Sequence, residues 1–572
     1  MRLAFTIQFL IFSLQVYCQE IGKNYLNNET FTYNDLIDSY KKFDQQSEKL
    51  KLLEYSKSDG SFPIHLAVFN NLQKFDAPQQ NGENELVILI MNGIHPGESD
   101  GIDASFLFTQ KLINGEIKIP NQVTICIIPV YNIEGMINRK EFTRTNQNGP
   151  IEKGFRGNGL NLDLNRDFIK SDSKNTIAFY EIFNDWNPDV FIDNHTSNGA
   201  DYQYTMTLIA TQKQKLGGKT ADFLYQKMLP EIYSQMKSRN WELAPYVNVF
   251  GNPPDEKGFD EFLETPRYST GYAALFSTIG FVPETHMLKP YKNRVESTLA
   301  IMEVILEFSK NHIQEIKKSR MIDTQAASLS KEYKTNFKLN KNVFDSITFK
   351  GYEAEKLPSK IGNYKRLFYN RNKPFTKKIR YYNFYEPSLT INLPKAYIIP
   401  KTQWKTIEKL KYNKVEMIDL MSDTIINVNA IYIDQYECSS KAYESHHYNR
   451  NVKSILKPTK IQFLKGDKVI FMNQSKNRFI AEVLEPMAND SYFSWNYFDG
   501  FLDQKEGFSD YVFEDDAFQL LQEDKNLNSK FETWKEQNPD KLNNQYEVLE
   551  FIFKNSKHYE NEYNRMPYFR ID

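Results

Sequence analysis

Three cysteines among 572 residues are too few for a disulfide framework. Charge of one sign is lacking too: 71 basic side chains stand against 73 acidic ones, so nothing electrostatic points to nucleic acid as a partner. Beyond the first twenty residues no apolar run approaches the roughly 20 residues of a membrane-spanning helix, which argues against a transmembrane segment. Internal repeats and low-complexity linkers are missing as well. Histidine is scarce, with eight in the chain, so the position of each carries weight. Aromatic residues are plentiful (42 Phe, 35 Tyr), which excludes a disordered chain and points to a packed, sheet-rich one.

The first residues, "MRLAFTIQFLIFSLQVYCQE", have a basic start at Arg2, an apolar stretch to Val16 and then a polar break. That layout predicts a secretory signal peptide over residues 1–18 and a mature protein that is secreted or periplasmic. Lipid attachment at Cys18 is disfavoured by bulky Tyr17, where such a signal wants a small residue. Cys126 lies within the apolar run "VTICIIPV" and reads as a small buried hydrophobe, with a single bridge to Cys438 left open.

A surface helix is expected from about residue 25 to 51. "PIHLAVFN" (63–70), "ELVILIMN" (85–92), "VTICIIPVYN" (123–132), "DVFIDNH" and "FSTIGFVPETH" (276–286) read as strands, with helices over 99–112 and "NTIAFYEIFNDW" between them. Runs this apolar suit central strands covered on both faces. The alternation predicts an α/β fold, a mixed central β-sheet flanked by helices. "RVESTLAIMEVILEFSKNHIQEIKKS" (294–319) is expected as its last helix. A catalytic domain over 19–330 and a β-rich C-terminal module over 331–572 follow, with a soft boundary near 325–335 and a more helical, acidic stretch over the last 70 or so residues.

In such sheets functional residues gather at the carboxyl ends of strands. His95, His195 and Glu284 each stand there. "MNGIHPGESDG" puts His95 three residues before Glu98, and "DVFIDNHTS" offers His195; two histidines and a carboxylate would leave zinc a fourth position for water. Each alone also suits an ordinary hydrogen-bonded turn residue. "FRGNGLNLDLNRDF" adds Arg156 and Arg166, guanidinium groups suited to an oxyanion or a carboxylate, or to a solvated loop with surface ion pairs.

In order, "HPGE", "IIPVYNIEG", "RGNGLNLDLNRDF", "DNHTS" and "PETH" resemble the carboxypeptidase A-like zinc metallocarboxypeptidases over roughly residues 45–310. The resemblance implies one zinc per catalytic domain, held by His95, Glu98 and His195. It further implies that Arg156 polarises the scissile carbonyl, that Asn165 and Arg166 hold the terminal carboxylate, and that Glu284 is the catalytic glutamate. The implied substrate is a peptide or protein with a free C-terminal carboxylate.

Three features depart from or add to that pattern. Asp167 follows the Asn–Arg pair where many relatives carry Asn, and a carboxylate there is expected to weaken or orient the anion grip. Tyr268 and Tyr272 are candidates for the family's mobile tyrosine, at a spacing to Glu284 unlike that of digestive enzymes. Arg267 is a candidate for the wall of the side-chain pocket or for a structural ion pair. His286 reads as a hydrogen-bonding support rather than a ligand. His446 and His447, being neighbours in an extended stretch, make a poor joint metal site. The aromatic stretch "DSYFSWNYFDGF" suits a core or a sugar platform, with core favoured, and contact with glycan or protein through the C-terminal module stays open. Two other readings remain: a peptidoglycan stem-peptide peptidase using the same site, and a surface binding protein with a vestigial one.

Overall fold

The computed structural model describes residues 22–77 and 85–572; the expected signal peptide, with Cys18, lies outside them, as does most of the polar turn 77–84. The central sheet comprises β1 (Leu50–Lys57), β2 (Pro63–Asn70), β3 (Leu86–Met91), β4 (Val123–Ile128), β5 (Val190–Asp193), β6 (His195–Ser197), β7 (Met206–Ala210), β8 (Leu243–Pro245) and β10 (Ile279–His286), with β9 (Phe259–Asp260) elsewhere. Its order is β1-β2-β4-β3-β5-β10-β7-β8, with β6 against β10. β4, β3, β5 and β10 run parallel, whereas β2 joins β4 and β7 joins β10 antiparallel, so the sheet is mixed as expected. Every residue of β3 and β4 is buried, the mark of strands covered on both faces. Phe31, Tyr40 and Phe43 close on Phe106 of the helix Asp100–Ile113, while Phe179 and Phe183 of the helix Lys174–Trp186 pack on Phe191 of β5.

Two local expectations change. The N-terminal helix ends at Gln46, and Leu50–Lys57 is an edge strand; exposed Lys51, Glu54 and Lys57 fall on both faces, with an irregular register between Glu54 and Lys57, so no clean alternation marks it. The expected helix over 294–319 is two helices, Tyr291–Asn311 and Ile313–Leu329, broken at His312, whose Nδ1 lies 2.9 Å from the Phe308 carbonyl.

Beyond Leu329 come β11 (Glu332–Leu339), β12 (Asp345–Pro358), β13 (Lys365–Tyr382), β14 (Tyr385–Asn392), β15 (Ala396–Ile399), β16 (Ile418–Asp419), β17 (Thr424–Cys438), β18 (Asn449–Phe463), β19 (Lys468–Phe471) and β20 (Arg565–Ile571). They form a β11–β14 pair, a β12–β13 hairpin joined by β9, and a six-stranded sheet ordered β16-β19-β15-β20-β17-β18. Three helices, Asp510–Glu523, Lys525–Gln537 and Gln545–Asn555, share a small core of their own. One apolar core runs from the central sheet into this part: Phe479 packs on Tyr272 and Phe276, and the Tyr272 hydroxyl donates to Asn413 Oδ1 at 2.7 Å. Tyr492, Phe493, Trp495 and Phe498 are buried, so the aromatic stretch near 495 fills core. Cys126 and Cys438 are both free, the first buried and the second exposed. Among the described residues no helix is long and apolar enough to cross a membrane.

His446, in the loop joining β17 to β18, reaches the earlier part of the chain. Its Nε2 lies 2.8 Å from Asp172 and its Nδ1 faces Asn496 Oδ1, with the Trp495 and Tyr497 rings beside it and Lys170 nearby. Burial and Lys170 oppose charge on the imidazole, but Asp172 and Asn496 outweigh them and raise its pKa. A raised histidine stabilises the folded state fully below its unfolded pKa of roughly 6.5, and that contribution is lost as pH rises through the higher folded value. Hydrogen exchange in residues 439–448 is therefore expected to speed up above about pH 6.5 beyond the intrinsic base-catalysed rise. His446→Gln should abolish this pH dependence, at a cost of about 1–2 kcal/mol.

Candidate active site

β3, β5 and β10 are parallel neighbours, so their carboxyl ends open on one edge of the sheet. The chain leaves β3 through Gly93, whose φ of +64° favours glycine and where a Cβ would press on Ile102 and Val130 at 3.0–3.1 Å. Asn92 anchors the exit: its Nδ2 donates to the Ile128 carbonyl and its Oδ1 accepts from Asn194 Nδ2 at 2.8 Å. A tight turn, Glu98 N–H to His95 carbonyl at 2.8 Å, then brings His95 and Glu98 together. His195 opens β6, beside Glu284 in the register of β10.

His95, Glu98 and His195 converge, each offering a ligand atom within 4.8 Å of the others, and all three are buried. His95 Nε2 lies 2.8 Å from Asp163 and His195 Nε2 lies 2.9 Å from Asp193. These carboxylates fix the rings so that both Nδ1 atoms face Glu98, at 3.2 and 3.0 Å. His95 Nδ1 is buried with no hydrogen-bond partner. Burial disfavours charge on His195, yet Asp193 and Glu98 outweigh it and raise its pKa. Two imidazole nitrogens and a carboxylate converging on one point are a donor set that fits zinc. Burial likewise opposes charge on Glu98, but Arg144, His95 and His195 hold the carboxyl well below its usual range.

Around this cluster lies a cleft of about 620 Å³ that takes in Arg156, Asn165, Arg166, Tyr268 and Glu284. The larger cavity beside the helix Ile313–Leu329, about 960 Å³, contains none of these side chains. Burial, reinforced by Glu98 and opposed by His195, pushes the Glu284 carboxyl up to about 8. Arg156 donates from Nε to Asp163 at 2.9 Å, and its Nη1 stands 3.6 Å from Glu98. Asn165 Oδ1 accepts from the Ser269 N–H at 3.2 Å, which fixes the amide. The Arg166 guanidinium lies 4.4 Å over the Tyr268 ring, with Nη1 donating to the Asn165 carbonyl at 2.7 Å.

Other residues lie away from the expected chemistry. Asp167 is fully buried and outside the cleft, bound to Lys170, Ser173 and Thr176, so it neither weakens nor orients an anion grip. Arg267 donates to Asp490 at 2.7 Å and stacks on Tyr448 and Trp495, which takes it out of any side-chain pocket. Tyr272 is core, leaving Tyr268 as the one of the pair that lines the cleft. His286 supports the backbone through Ala200 and Leu288, remote from the cluster's hydrogen bonds. Asp163, Asp193 and Arg144, which lies 2.8 Å from Glu98, were not expected from sequence. Asp163 and Asp193 sit two residues before Asn165 and His195, a signal available in "DLNR" and "DNH"; "EFTRTN" gives none for Arg144.

Residues 40–190 match the family model for zinc carboxypeptidase. No curated protein matches the chain. Among solved structures it is similar to a metallo-carboxypeptidase from Burkholderia cenocepacia (12% identity, 49% of this chain and 70% of that one, TM-score 0.35). It is also similar to a metallo-carboxypeptidase from Pseudomonas aeruginosa (11%, 50% and 70%, TM-score 0.38) and to carboxypeptidase A from Helicoverpa armigera (12%, 50% and 74%, TM-score 0.38). Residues 40–190 thus carry the zinc-carboxypeptidase family match, and His95, Glu98 and His195 form a buried cluster that fits one zinc ion.

Proposed function

We propose that the protein removes the C-terminal residue of peptides or proteins outside the cytoplasm, using Glu284 and Arg156 as catalytic groups and Asn165 with Arg166 as the seat of the substrate's terminal carboxylate. The observation that carries this reading is that Arg166 and Asn165 share one cleft with the metal cluster and Glu284. Zinc, when bound, lowers the pKa of an adjacent water and polarises a carbonyl. Glu284, ionised once a dication sits beside it, would take a proton from water on a carboxylate oxygen and pass it to the leaving amine as the C–N bond breaks. Arg156 donates to the substrate carbonyl oxygen as negative charge develops there. The carboxylate seat decides which bond is presented, so cleavage is confined to the chain end.

The signal-like leader supports action outside the cytoplasm. We place the division between catalytic domain and C-terminal module near residue 330, where the helix Ile313–Leu329 gives way to β11. The full set of acid–base and anion-binding groups in one cleft favours an active enzyme over a vestigial one.

A matched pair of peptides with free and amidated C-termini tests the reading. The free acid is expected to lose single residues, whereas the amide should react at least about 100-fold more slowly, the loss of a charge-assisted, bidentate contact. Arg166→Ala should raise KM for the free acid by a similar factor. Equal cleavage of the two peptides would rule out a carboxylate-directed exopeptidase.

A further inference from the structure

The wall of the cleft that bears Arg166 is backed by residues 277 positions downstream. The loop between β17 and β18 ends in a tight turn, with the Tyr443 N–H donating to the His446 carbonyl at 2.8 Å and the reverse bond at 3.1 Å. Its central residues, Glu444 and Ser445, have φ of 50° and 68°, a conformation costly for residues other than Gly and Asn. The surroundings hold it there. Tyr443 stacks on buried Trp495, which also carries the Arg267 guanidinium, and His446 is bound to Asp172.

From this turn the Tyr443 hydroxyl accepts a hydrogen bond from Arg166 Nε at 3.0 Å. The Glu444 carboxylate accepts from the backbone N–H of Asp163 at 2.9 Å. With Nε on Tyr443, Nη1 on the Asn165 carbonyl and one face over Tyr268, the guanidinium is held on three sides. A phenol hydroxyl, unlike a carboxylate partner, orients Arg166 without cancelling the charge that an incoming carboxylate would meet. Asp163 in turn holds His95 and Arg156.

We propose that Tyr443 and Glu444 are positioning residues of the substrate-carboxylate site, so that the C-terminal module is a working part of the active site. Tyr443 sets the direction of Arg166, and Glu444 sets the backbone from which Asp163 reaches His95 and Arg156. This inference rests on Arg166 being the group that receives the substrate's carboxylate.

The test uses the full-length zinc-loaded protein. Tyr443 is 41% exposed, so Tyr443→Phe is compatible with the fold. It is expected to raise KM for a free-acid peptide about tenfold with kcat changed less than about twofold, the loss of one hydrogen bond to a charged group. A hydroxamate inhibitor without a carboxylate should bind as before, while a succinate-type inhibitor should weaken by the same tenfold. In an Arg166→Ala background, Tyr443→Phe should have no further effect. Glu444→Ala is expected to change KM and kcat together, by about three- to tenfold, since it acts through Asp163.

Three results would overturn the inference. Arg166→Ala with unchanged KM removes the carboxylate reading and this one with it. Arg166→Ala with raised KM beside an unaffected Tyr443→Phe removes this one alone. A Tyr443→Phe effect that persists without Arg166, or that comes with loss of zinc or a lower Tm, assigns Tyr443 a structural role instead.

Discussion

Glu284→Gln is expected to lower kcat/KM for C-terminal residue release by about 10³-fold, within the 10²–10⁴ range typical of a lost general base, while zinc stays bound at one per chain. Glutamine keeps the shape of the side chain but cannot take a proton from water. Glu284 is not among the ligand cluster, so metal content should not move. Its carboxyl, pushed up to about 8 by burial and by Glu98, sits in a place hostile to charge. Without the metal, the variant should therefore be no less stable than the parent, and slightly more so, the usual relation between a strained active-site group and its neutral replacement. Steady-state kinetics, metal analysis and thermal unfolding on one preparation check all three points. Activity within tenfold of the parent would remove Glu284 from the chemistry.

The second large effect is on stability. Asp167→Ala is expected to cost about 3–5 kcal/mol, because it strips a buried cation of one of its two carboxylate partners. Lys170 is fully buried, with its ammonium 2.8 Å from Asp167 and 2.7 Å from Asp172. Asp167 also accepts from the backbone N–H groups of Asp172 and Ser173 and from the Ser173 and Thr176 hydroxyls, at 2.6–3.0 Å. The buried Ser173 N–H would lose its partner, and the Ser173 and Thr176 hydroxyls, 3.1 Å apart, would be left with only each other as acceptors. The midpoint of the first urea transition, or outright failure to accumulate folded protein, reads the effect. A loss below about 1 kcal/mol would show that Lys170 finds other compensation.

Asp167 also illustrates what the sequence reveals. Position next to an Asn–Arg pair suggested contact with the same anion, but one residue along a 3-10 turn reverses the side chain, and Asp167 points into the core. The metal cluster was legible because apolar strands mark their own ends, and residues just past those ends gather on one edge of a parallel sheet. The family match over 40–190 falls on the stretch that holds His95, Glu98, Arg156, Asn165 and Arg166. Contacts that cross the chain were not legible. Arg267 meeting Asp490, Arg166 meeting Tyr443 and Asp172 meeting His446 depend on how two sheets dock, and no periodicity records that. β20 was hidden for a related reason: seven residues after a helical stretch carry too little pattern, although they are buried between two strands.

That strand has a consequence in time. β20 lies between β15 and β17, so the sheet has a gap at its centre until residues 565–571 have left the ribosome. By then about a hundred residues have been made since β18, and two apolar strand edges have waited unpaired, a state that invites mispairing and chaperone attention. The hairpin that carries Tyr443 grows from this same sheet. The metal cluster draws on residues up to 195 and on β10, complete at 286, so during synthesis the ability to hold zinc precedes the finished grip on a substrate's end.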